Sequence, residues 1–166
     1  MSSVLISIGS NVGDRKSNIE EAIYNLSQSG FFLLKQSSII ETKPYGEMNQ
    51  NHFLNIVLST TTILSNPFLA LEKVKKIESK MGRVKTFRWG PRLIDIDLLF
   101  WDQKIINSST LTIPHYDIHN RDFVLFPLLE ICPFYFHPTL KTTIIKLWNI
   151  YKKKNTCYHG EKFSGG

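Results

Sequence analysis

The 166-residue sequence predicts an α+β fold in which helices pack on one antiparallel β-sheet. Two observations support this prediction. Extended apolar runs and stretches of helical periodicity follow one another in the order strand, helix, strand, strand, helix, strand. The two central strands are joined by a loop and lie between two strand–helix units, which is typical of the split βαβ pattern. We therefore expect a ferredoxin-like βαββαβ core, followed by a C-terminal extension.

The first half of this order rests on simple patterns. Residues 4–8 form an apolar run that a Gly-Ser-Asn turn stops, which predicts a buried strand. In residues 14–29 apolar side chains recur at intervals of three and four, as on one face of a helix, and Gly30 is suited to end it. Residues 31–41 and 53–62 have strand composition. The loop between them is about ten residues long, too long for a tight hairpin and therefore a candidate for function.

The second half begins with a helix. Asn66 is a good N-cap and Pro67 a good first helical residue, and Gly82 follows the last helical residue. Residues 93–101 then have the composition of a strand.

The C-terminal extension contains weaker signals. We expect short strands at 104–107 and 111–113, a helix near 122–126 that Pro127 bends or ends, and a last helix with an apolar side over 144–151. Residues beyond 152 show no periodicity. The chain is therefore predicted to form a single domain over residues 1–151 and a basic, disordered tail over 152–166.

The composition is that of an ordinary globular protein, with 42% hydrophobic and 20% charged residues. No apolar run is long enough to span a membrane, and the first residues lack the basic and apolar regions of a signal peptide. The two cysteines, Cys132 and Cys157, lie far apart, so we expect free thiols and a cytoplasmic protein. The net charge of +6 favours anionic partners without choosing among them.

The clearest chemical motif lies in the strand at 93–101. Alternate side chains of a strand share a face, so the apolar residues from Ile94 to Phe100 should face a core while Asp95 and Asp97 point to the other side. Carboxylates at this spacing lie roughly 7 Å apart at the backbone and could hold one or two cations between them. The alternative is a solvent-facing pair on a half-exposed sheet.

A basic loop over residues 82–92 precedes this strand. It contains Arg83, Lys85, Arg88 and Arg92, whose charges beside two acids suit a polyphosphate gripped by arginine and by metal. A solvated loop that merely balances the acids is the alternative. Trp89 weighs against that alternative, because a tryptophan between charged segments usually covers something.

A second polar cluster lies at 114–121. His115 and His119 are spaced as zinc ligands could be, but the sequence offers no further Cys or His ligand at a suitable spacing. A loop that brings His115 and Arg121 to phosphate oxygens fits better. A polar loop with Asn120 as a helix cap would explain only part of the cluster.

These residues together resemble the 6-hydroxymethyl-7,8-dihydropterin pyrophosphokinases of folate biosynthesis. The resemblance runs from residue 6 to about residue 148, and its most specific part is Arg-Trp-Gly-Pro-Arg-Leu-Ile-Asp-Ile-Asp-Leu at 88–98. Further support comes from Ile-Gly-Ser-Asn at 8–11, Thr-Lys-Pro-Tyr-Gly at 42–46, Phe-Leu-Asn at 53–55, and Pro-His-Tyr at 114–116 with Arg121.

The resemblance implies a catalytic domain that moves the diphosphate of ATP to the hydroxymethyl group of the pterin and releases AMP. It implies two magnesium ions held by Asp95 and Asp97. The catalytic residues implied are Arg83, Arg88, Arg92, Asp95 and Asp97. The nucleotide-binding residues implied are Arg92, Leu98, Thr112, His115, Tyr116 and Arg121. The pterin-binding residues implied are Thr42, Pro44, Tyr45, Phe53, Asn55, Trp89, Asp95 and Phe123.

The sequence departs from the family pattern at Lys75, where glutamine is common, and at Thr110, where an arginine often stands. We expect a monomer that acts on small molecules, without nucleic acid or membrane as a partner.

The residues alone leave two other functions open. A two-metal phosphodiesterase built on Asp95, Asp97 and His115 would leave Phe53 and Phe123 without a purpose. A non-catalytic module for RNA or protein would lack the aromatic strand motif of RNA-binding sheets and would carry acids on a central strand.

Overall fold

The computed structural model describes residues 1–44, 49–82 and 90–155, and the backbone of 160–162. The helices in these residues are α1 (Arg15–Gln28), α2 (Pro67–Lys80), α3 (Asp122–Ile131) and α4 (Ile144–Lys154), with a 3₁₀ turn at Ile118–Asn120. The strands are β1 (Ser2–Ser10), β2 (Phe31–Gln36), β3 (Ile40–Thr42), β4 (Phe53–Thr62), β5 (Asp95–Trp101), β6 (Ile106–Asn107), β7 (Thr112–Ile113), β8 (Phe136–His137), β9 (Thr142–Thr143) and β10 (Gly160–Lys162).

The main sheet has the strand order β10-β3-β4-β1-β5, and β2 also pairs with β4. Every pairing in it is antiparallel. If β2 and β3 are counted as one strand, the order is that of a split βαβ fold, with the first and third strands in the centre. The predicted α+β fold, an antiparallel sheet with helices packed on it, is therefore confirmed.

The predicted strand at 31–41 is divided into β2 and β3 at Ser37. The backbone N–H of Ser37 donates to the carbonyl of Val57, and the Ser37 hydroxyl accepts from the N–H of Val57. One extra residue therefore lies on this side of the ladder, and the strand bends there.

Helices cover both faces of the sheet. On one face, β1, β4 and β5 pack against α1 and α2 around a first core that includes Ile8, Ile56 and Ile96. On the other face, α3 and α4 cover a second core that includes Leu5, Val57 and Phe100. Because the side chains of a strand alternate between faces, both cores draw on the same strands.

The predicted position of Phe100 was wrong. Leu5 pairs with Phe100 but Ile6 pairs with Leu98, so Leu99 is an extra residue in β5. This bulge turns Phe100 to the second core and places Trp101 in the first core instead.

Two further expectations for the C-terminal extension are corrected. Pro127 does not end its helix. It is buried inside α3, which continues to Ile131. The missing N–H of a proline costs one helical hydrogen bond, and the packing of this apolar helix on the second core offsets that cost. The region after residue 152 is not irregular throughout, because Lys152–Lys154 belong to α4 and the backbone of Gly160–Lys162 pairs with β3.

The helix starts agree with the sequence. The Asp14 carboxylate accepts from the N–H of Ser17, and the Asn66 side chain accepts from the N–H of Leu69, with Pro67 at the first helical position. Among the described residues, no helix combines the length and the apolar character that a membrane span requires.

Candidate active site

One face of the sheet is shared between the second core and an open cavity. In the strand register, Gly9 on β1 pairs with Asn55 on β4 and with Asp95 on β5, so these residues lie side by side across three strands. Ser7 pairs with Asp97 in the next row on the same face. We call these five residues the floor of the cavity. Beyond the Ser7 row the same face is covered by α3 and α4.

Gly9 makes room for its neighbour on this floor. A Cβ atom at position 9 would lie 3.0 Å from Oδ1 of Asn55 and 3.7 Å from Cδ1 of Phe53. Asn55 is buried, and its Nδ2 donates a hydrogen bond of 2.8 Å to the hydroxyl of Thr42 on β3. The amide is therefore oriented from one side by Thr42, and it is free to approach Gly9 from the other.

The cavity above the floor has a volume of about 300 Å³. Phe53 and Phe123 are half-buried in its wall, and the guanidinium carbon of Arg121 lies 5.7 Å from the centroid of the Phe123 ring. Two aromatic side chains near a buried amide suit a flat ring with donors and acceptors at its edge.

The other part of the cavity is built from opposite charges. Nη1 of Arg92 lies 2.5 Å from Oδ2 of Asp95, and Nη1 of Arg121 lies 3.5 Å from Oδ2 of Asp97. Burial, together with the negative charge of Asp95, raises the pKa of Asp97 to about 7, although Arg121 opposes this. The two carboxylates thus repel each other in a partly desolvated place, where a cation would stabilise both.

His115 completes this part of the wall as a neutral side chain. Burial and the positive charge of Arg121 lower its pKa to about 4. Its Nδ1 accepts from the backbone N–H of Asp117 at 3.2 Å, so the proton lies on Nε2. Nε2 is 3.9 Å from Oδ2 of Asp97 and points into the cavity as a hydrogen-bond donor.

Arg121 is held in place by the loop that contains His115. Its Nε donates to the Asp117 carboxylate at 3.0 Å, and its Nη1 is directed at the Asp97 carboxylate of the cavity. The His115 N–H in turn donates to the carbonyl of Leu99, the bulged residue of β5. The bulge therefore anchors the loop that carries both side chains.

The family model for 7,8-dihydro-6-hydroxymethylpterin-pyrophosphokinase (HPPK) matches residues 5–133. This chain belongs to the HPPK family. A 2-amino-4-hydroxy-6-hydroxymethyldihydropteridine pyrophosphokinase of Aquifex aeolicus is 41% identical over 156 residues, which is 94% of each chain. The enzyme of the same name from Bacillus subtilis is 42% identical over 128 residues, 76% of each chain. The predicted family is confirmed.

Solved HPPK-containing structures share the fold. A Plasmodium falciparum HPPK-DHPS crystal structure superposes with a TM-score of 0.78 at 17% identity, over 97% of this chain and 46% of that one. This chain therefore spans about half the length of that two-part protein. The likeness extends to the HPPK fold and not to the remainder of the longer chain.

The structure places most of the predicted HPPK residues around one cavity. Those that line it are Thr42, Phe53, Asn55, Arg92, Asp95, Asp97, His115, Tyr116, Arg121 and Phe123. Three predicted residues do not line it. The Leu98 side chain lies in the first core, Thr112 lies on β7, and Pro44 is a buried residue next to Lys43 in sequence. Tyr45, Arg83, Arg88 and Trp89 lie outside the described residues.

Further residues line the cavity that were not predicted as site residues. They are Ser7, Gly9, Lys43, Lys75 and Gly90. Ser7 had a visible signal, because it is the one polar residue within the apolar run of residues 4–8. For Lys75 the only signal in the sequence was its departure from the family pattern, because a lysine on a helix is usually a solvated charge.

Magnesium is the metal that this donor set fits. In the described residues no group of three or more His, Cys, Asp or Glu side chains is placed to hold a metal by protein ligands alone. Magnesium keeps several waters and is usually bound by one or two carboxylates together with substrate phosphates. Asp95 and Asp97 on one face of β5 match that pattern.

Proposed function

We propose that this HPPK-family chain uses the cavity above its floor to transfer the diphosphate of ATP to the hydroxymethyl group of 6-hydroxymethyl-7,8-dihydropterin, with magnesium and with release of AMP. The observation that carries the proposal is the row Asn55, Gly9, Asp95 across three neighbouring strands. Two strand spacings separate the amide from the carboxylate, about 10 Å at the backbone. A flat bicyclic ring that lies over Gly9 thus meets a hydrogen-bonding amide at one edge and the acidic pair at the other.

The pterin half of the proposal is supported by shape and hydrogen bonding. Asn55 offers an amide whose orientation Thr42 fixes, and Phe53 and Phe123 offer aromatic faces for stacking. Gly9 leaves the floor flat where the ring would lie. We assign to Asn55 the recognition of the polar ring edge and to the two phenylalanines the stacking.

The metal half is supported by the charge balance of the acidic pair. We assign Asp95 and Asp97 as the residues that hold two magnesium ions. When bound, the ions neutralise phosphate oxygens and stabilise the charge that builds at the β-phosphate. The raised pKa of Asp97 supports this assignment, because burial and the charge of Asp95 disfavour the ionised carboxylate and a bound cation would stabilise it.

The remaining cationic and polar groups are assigned to the phosphates. Arg92 and Arg121 bind the carboxylates in the structure, and their forked donors would exchange to phosphate oxygens when ATP enters. His115 donates from Nε2, and Tyr116 stacks on it with ring centroids 4.7 Å apart. Arg83, Arg88 and Trp89, which lie outside the described residues, keep the roles that the family resemblance implies.

The chemistry required of the protein is positioning and charge neutralisation. Phosphoryl-type transfer has little need of a strong base, because attacking and leaving oxygens react through a loose, highly charged transition state. His115 is neutral with its proton on the nitrogen that faces the cavity, so it is a donor and not the base that takes the proton of the hydroxymethyl group.

The test is AMP release from ATP and magnesium, with and without 6-hydroxymethyl-7,8-dihydropterin. We expect AMP only when the pterin is present, and none from an Asp97→Ala variant. Glu72→Ala, which removes an exposed carboxylate from α2, is the matched control and should keep full activity. Phosphate release that ignores the pterin would indicate a hydrolase, and a folded protein without any turnover would contradict the proposal.

We also propose that the enzyme acts as a monomer in the cytoplasm, where ATP and magnesium are abundant. Size-exclusion chromatography with light scattering, with and without substrates, measures the oligomeric state directly. A concentration-independent mass of 19.2 kDa is the expected result.

A further inference from the structure

Glu78 is a buried carboxylate that contacts the backbone between the two aspartates. Its side chain lies on α2 and the residue is 2% exposed. Oε1 accepts a hydrogen bond of 2.8 Å from the N–H of Ile96, and Oε2 lies 3.1 Å from Nζ of Lys75. Ile96 stands between Asp95 and Asp97 in β5, so one hydrogen bond acts on the backbone from which both carboxylates project.

This contact supplies the hydrogen-bond acceptor that a further strand beside β5 would otherwise supply. β5 ends the order of the main sheet as the structure describes it, with β1 as its neighbour on the inner side. The N–H of Ile96 faces outward and meets a side chain from α2 instead of a further ladder. A buried N–H without an acceptor would cost free energy, so position 78 has to supply an oxygen.

A carboxylate is a costly way to supply that oxygen. Burying a charge is unfavourable unless it is paired, and Glu78 carries the same sign as the two aspartates nearby. Lys75 offsets part of this cost, because its ammonium group contacts Glu78 and also lines the cavity. The Lys75–Glu78 ion pair therefore connects the backbone of β5 with a residue that lines the cavity.

We propose that Glu78 is a positioning residue that fixes the separation and direction of Asp95 and Asp97 through the N–H of Ile96, and that Lys75 holds Glu78 in that position. The inference rests on the proposed role of the aspartates as metal ligands. It adds the hydrogen bond between Glu78 and the N–H of Ile96, which is made to the strand backbone and not to the proposed metal or substrate. Residues that orient metal ligands in this way typically contribute 10- to 100-fold to metal affinity.

Two variants separate the acceptor from the charge. Glu78→Gln keeps an oxygen for Ile96 and removes the charge, whereas Glu78→Ala removes both. Without ligands, Glu78→Ala should speed amide exchange of Ile96 by about fivefold relative to Ile8 on β1, the expected effect of losing a hydrogen bond of about 1 kcal/mol. Glu78→Gln should leave that exchange within about threefold of the original protein.

The second measurement is binding of Mn²⁺ in the presence of a non-hydrolysable ATP analogue, followed by electron paramagnetic resonance. We expect Glu78→Ala to weaken Mn²⁺ binding by about tenfold and Glu78→Gln to restore it to within about threefold. The proposal is overturned if folded Glu78→Ala binds Mn²⁺ as the original protein does, or if Glu78→Gln is as damaged as Glu78→Ala.

Lys75 is tested against its neighbour on the same helix. Lys75→Gln should accelerate Ile96 exchange by about threefold, while Lys76→Gln, an exposed residue without this contact, should change nothing. If Glu78→Ala does not fold, the comparison of Lys75→Gln with Lys76→Gln tests the proposal. Equal rates of Ile96 exchange in these two variants overturn it. Failure of the proposed function looks different, because the original protein would then release no pterin-dependent AMP whatever the exchange of Ile96.

Discussion

Replacing Gly9 by alanine should weaken binding of the pterin without weakening the fold. Gly9 has an ordinary extended backbone inside β1, so alanine adopts its conformation without strain. The new Cβ would lie 3.0 Å from Oδ1 of Asn55, closer than carbon and oxygen normally approach. Asn55 must therefore retreat by a few tenths of an ångström from the position in which the structure holds it.

The size of the effect follows from the hydrogen bond that Asn55 makes. Its Nδ2 lies 2.8 Å from the Thr42 hydroxyl, and the retreat misaligns this bond together with the bond expected to the pterin edge. Losing one such bond costs about 1 kcal/mol, or about a fivefold rise in the KM for the pterin. The stability of the fold should change by less than about 1 kcal/mol, because the gain of about 0.5–1 kcal/mol from alanine in a strand opposes the cost of the misaligned Asn55–Thr42 bond.

Initial rates of AMP release against each substrate measure both effects, with urea unfolding as the measure of stability. The KM for ATP should stay within about twofold, since a change at Asn55 touches only the ring end of the cavity. Asn55→Ala is the companion variant, and Gly9→Ala should have no further effect in that background. Equal rises in both KM values, or an undiminished effect of Gly9→Ala without Asn55, would refute the reasoning.

Three further outcomes are expected. Asp97→Asn should lower turnover at least about 100-fold. It should also raise the metal-free stability at pH 7, because burial and Asp95 raise the pKa of Asp97 and its ionised form destabilises the fold; unchanged urea unfolding would contradict this. Burial lowers the pKa of His137 to about 4, and its Nδ1 accepts from the N–H of Leu140. The contribution of this histidine to stability is thus fully present above about pH 6.5 and is lost as the pH falls to about 4, by up to about 1.4 kcal/mol per pH unit. His137→Gln should remove this pH dependence, as measured by the free energies of unfolding at pH 7 and pH 4.5. Removing residues 156–166 takes away the strand paired with β3 and should raise the KM for the pterin but not for ATP, with faster amide exchange at Thr42 as the independent readout.

Much of the site could be predicted because the period of a strand is short and regular. Asp95 and Asp97 lie two residues apart, so any register of β5 that buries Ile96 sends both carboxylates to the opposite face. The helix starts at Asp14 and Asn66 are likewise local, since each cap bonds to a backbone N–H three residues away. Such features need no knowledge of distant parts of the chain.

What could not be predicted depends on partners far away in the sequence. The bulge at Leu99 turns Phe100 to the second core, and only the pairing with β1 reveals it. Pro127 stays within α3 because the second core holds that helix together. Both are cases in which tertiary packing overrides a local preference.

Glu78 illustrates a signal that was present but not interpreted. Ala70, Val74 and Ile77 define the buried stripe of α2, and Glu78 continues it at helical spacing. A carboxylate on an apolar stripe is rare unless it has a partner. The identity of the partner, an N–H on β5, required the structure.

The alternation between floor and first core has a consequence for inhibitors. Gly9, Asn55 and Asp95 each stand next in sequence to an isoleucine of the first core, namely Ile8, Ile56 and Ile96. A resistance mutation that shifts one of these floor residues would disturb packing on the reverse of the same strand. A compound that contacts only this floor should therefore select few resistance mutations. One that depends on the loop after Thr42 would be evaded more easily, because a loop residue is replaced without moving a strand.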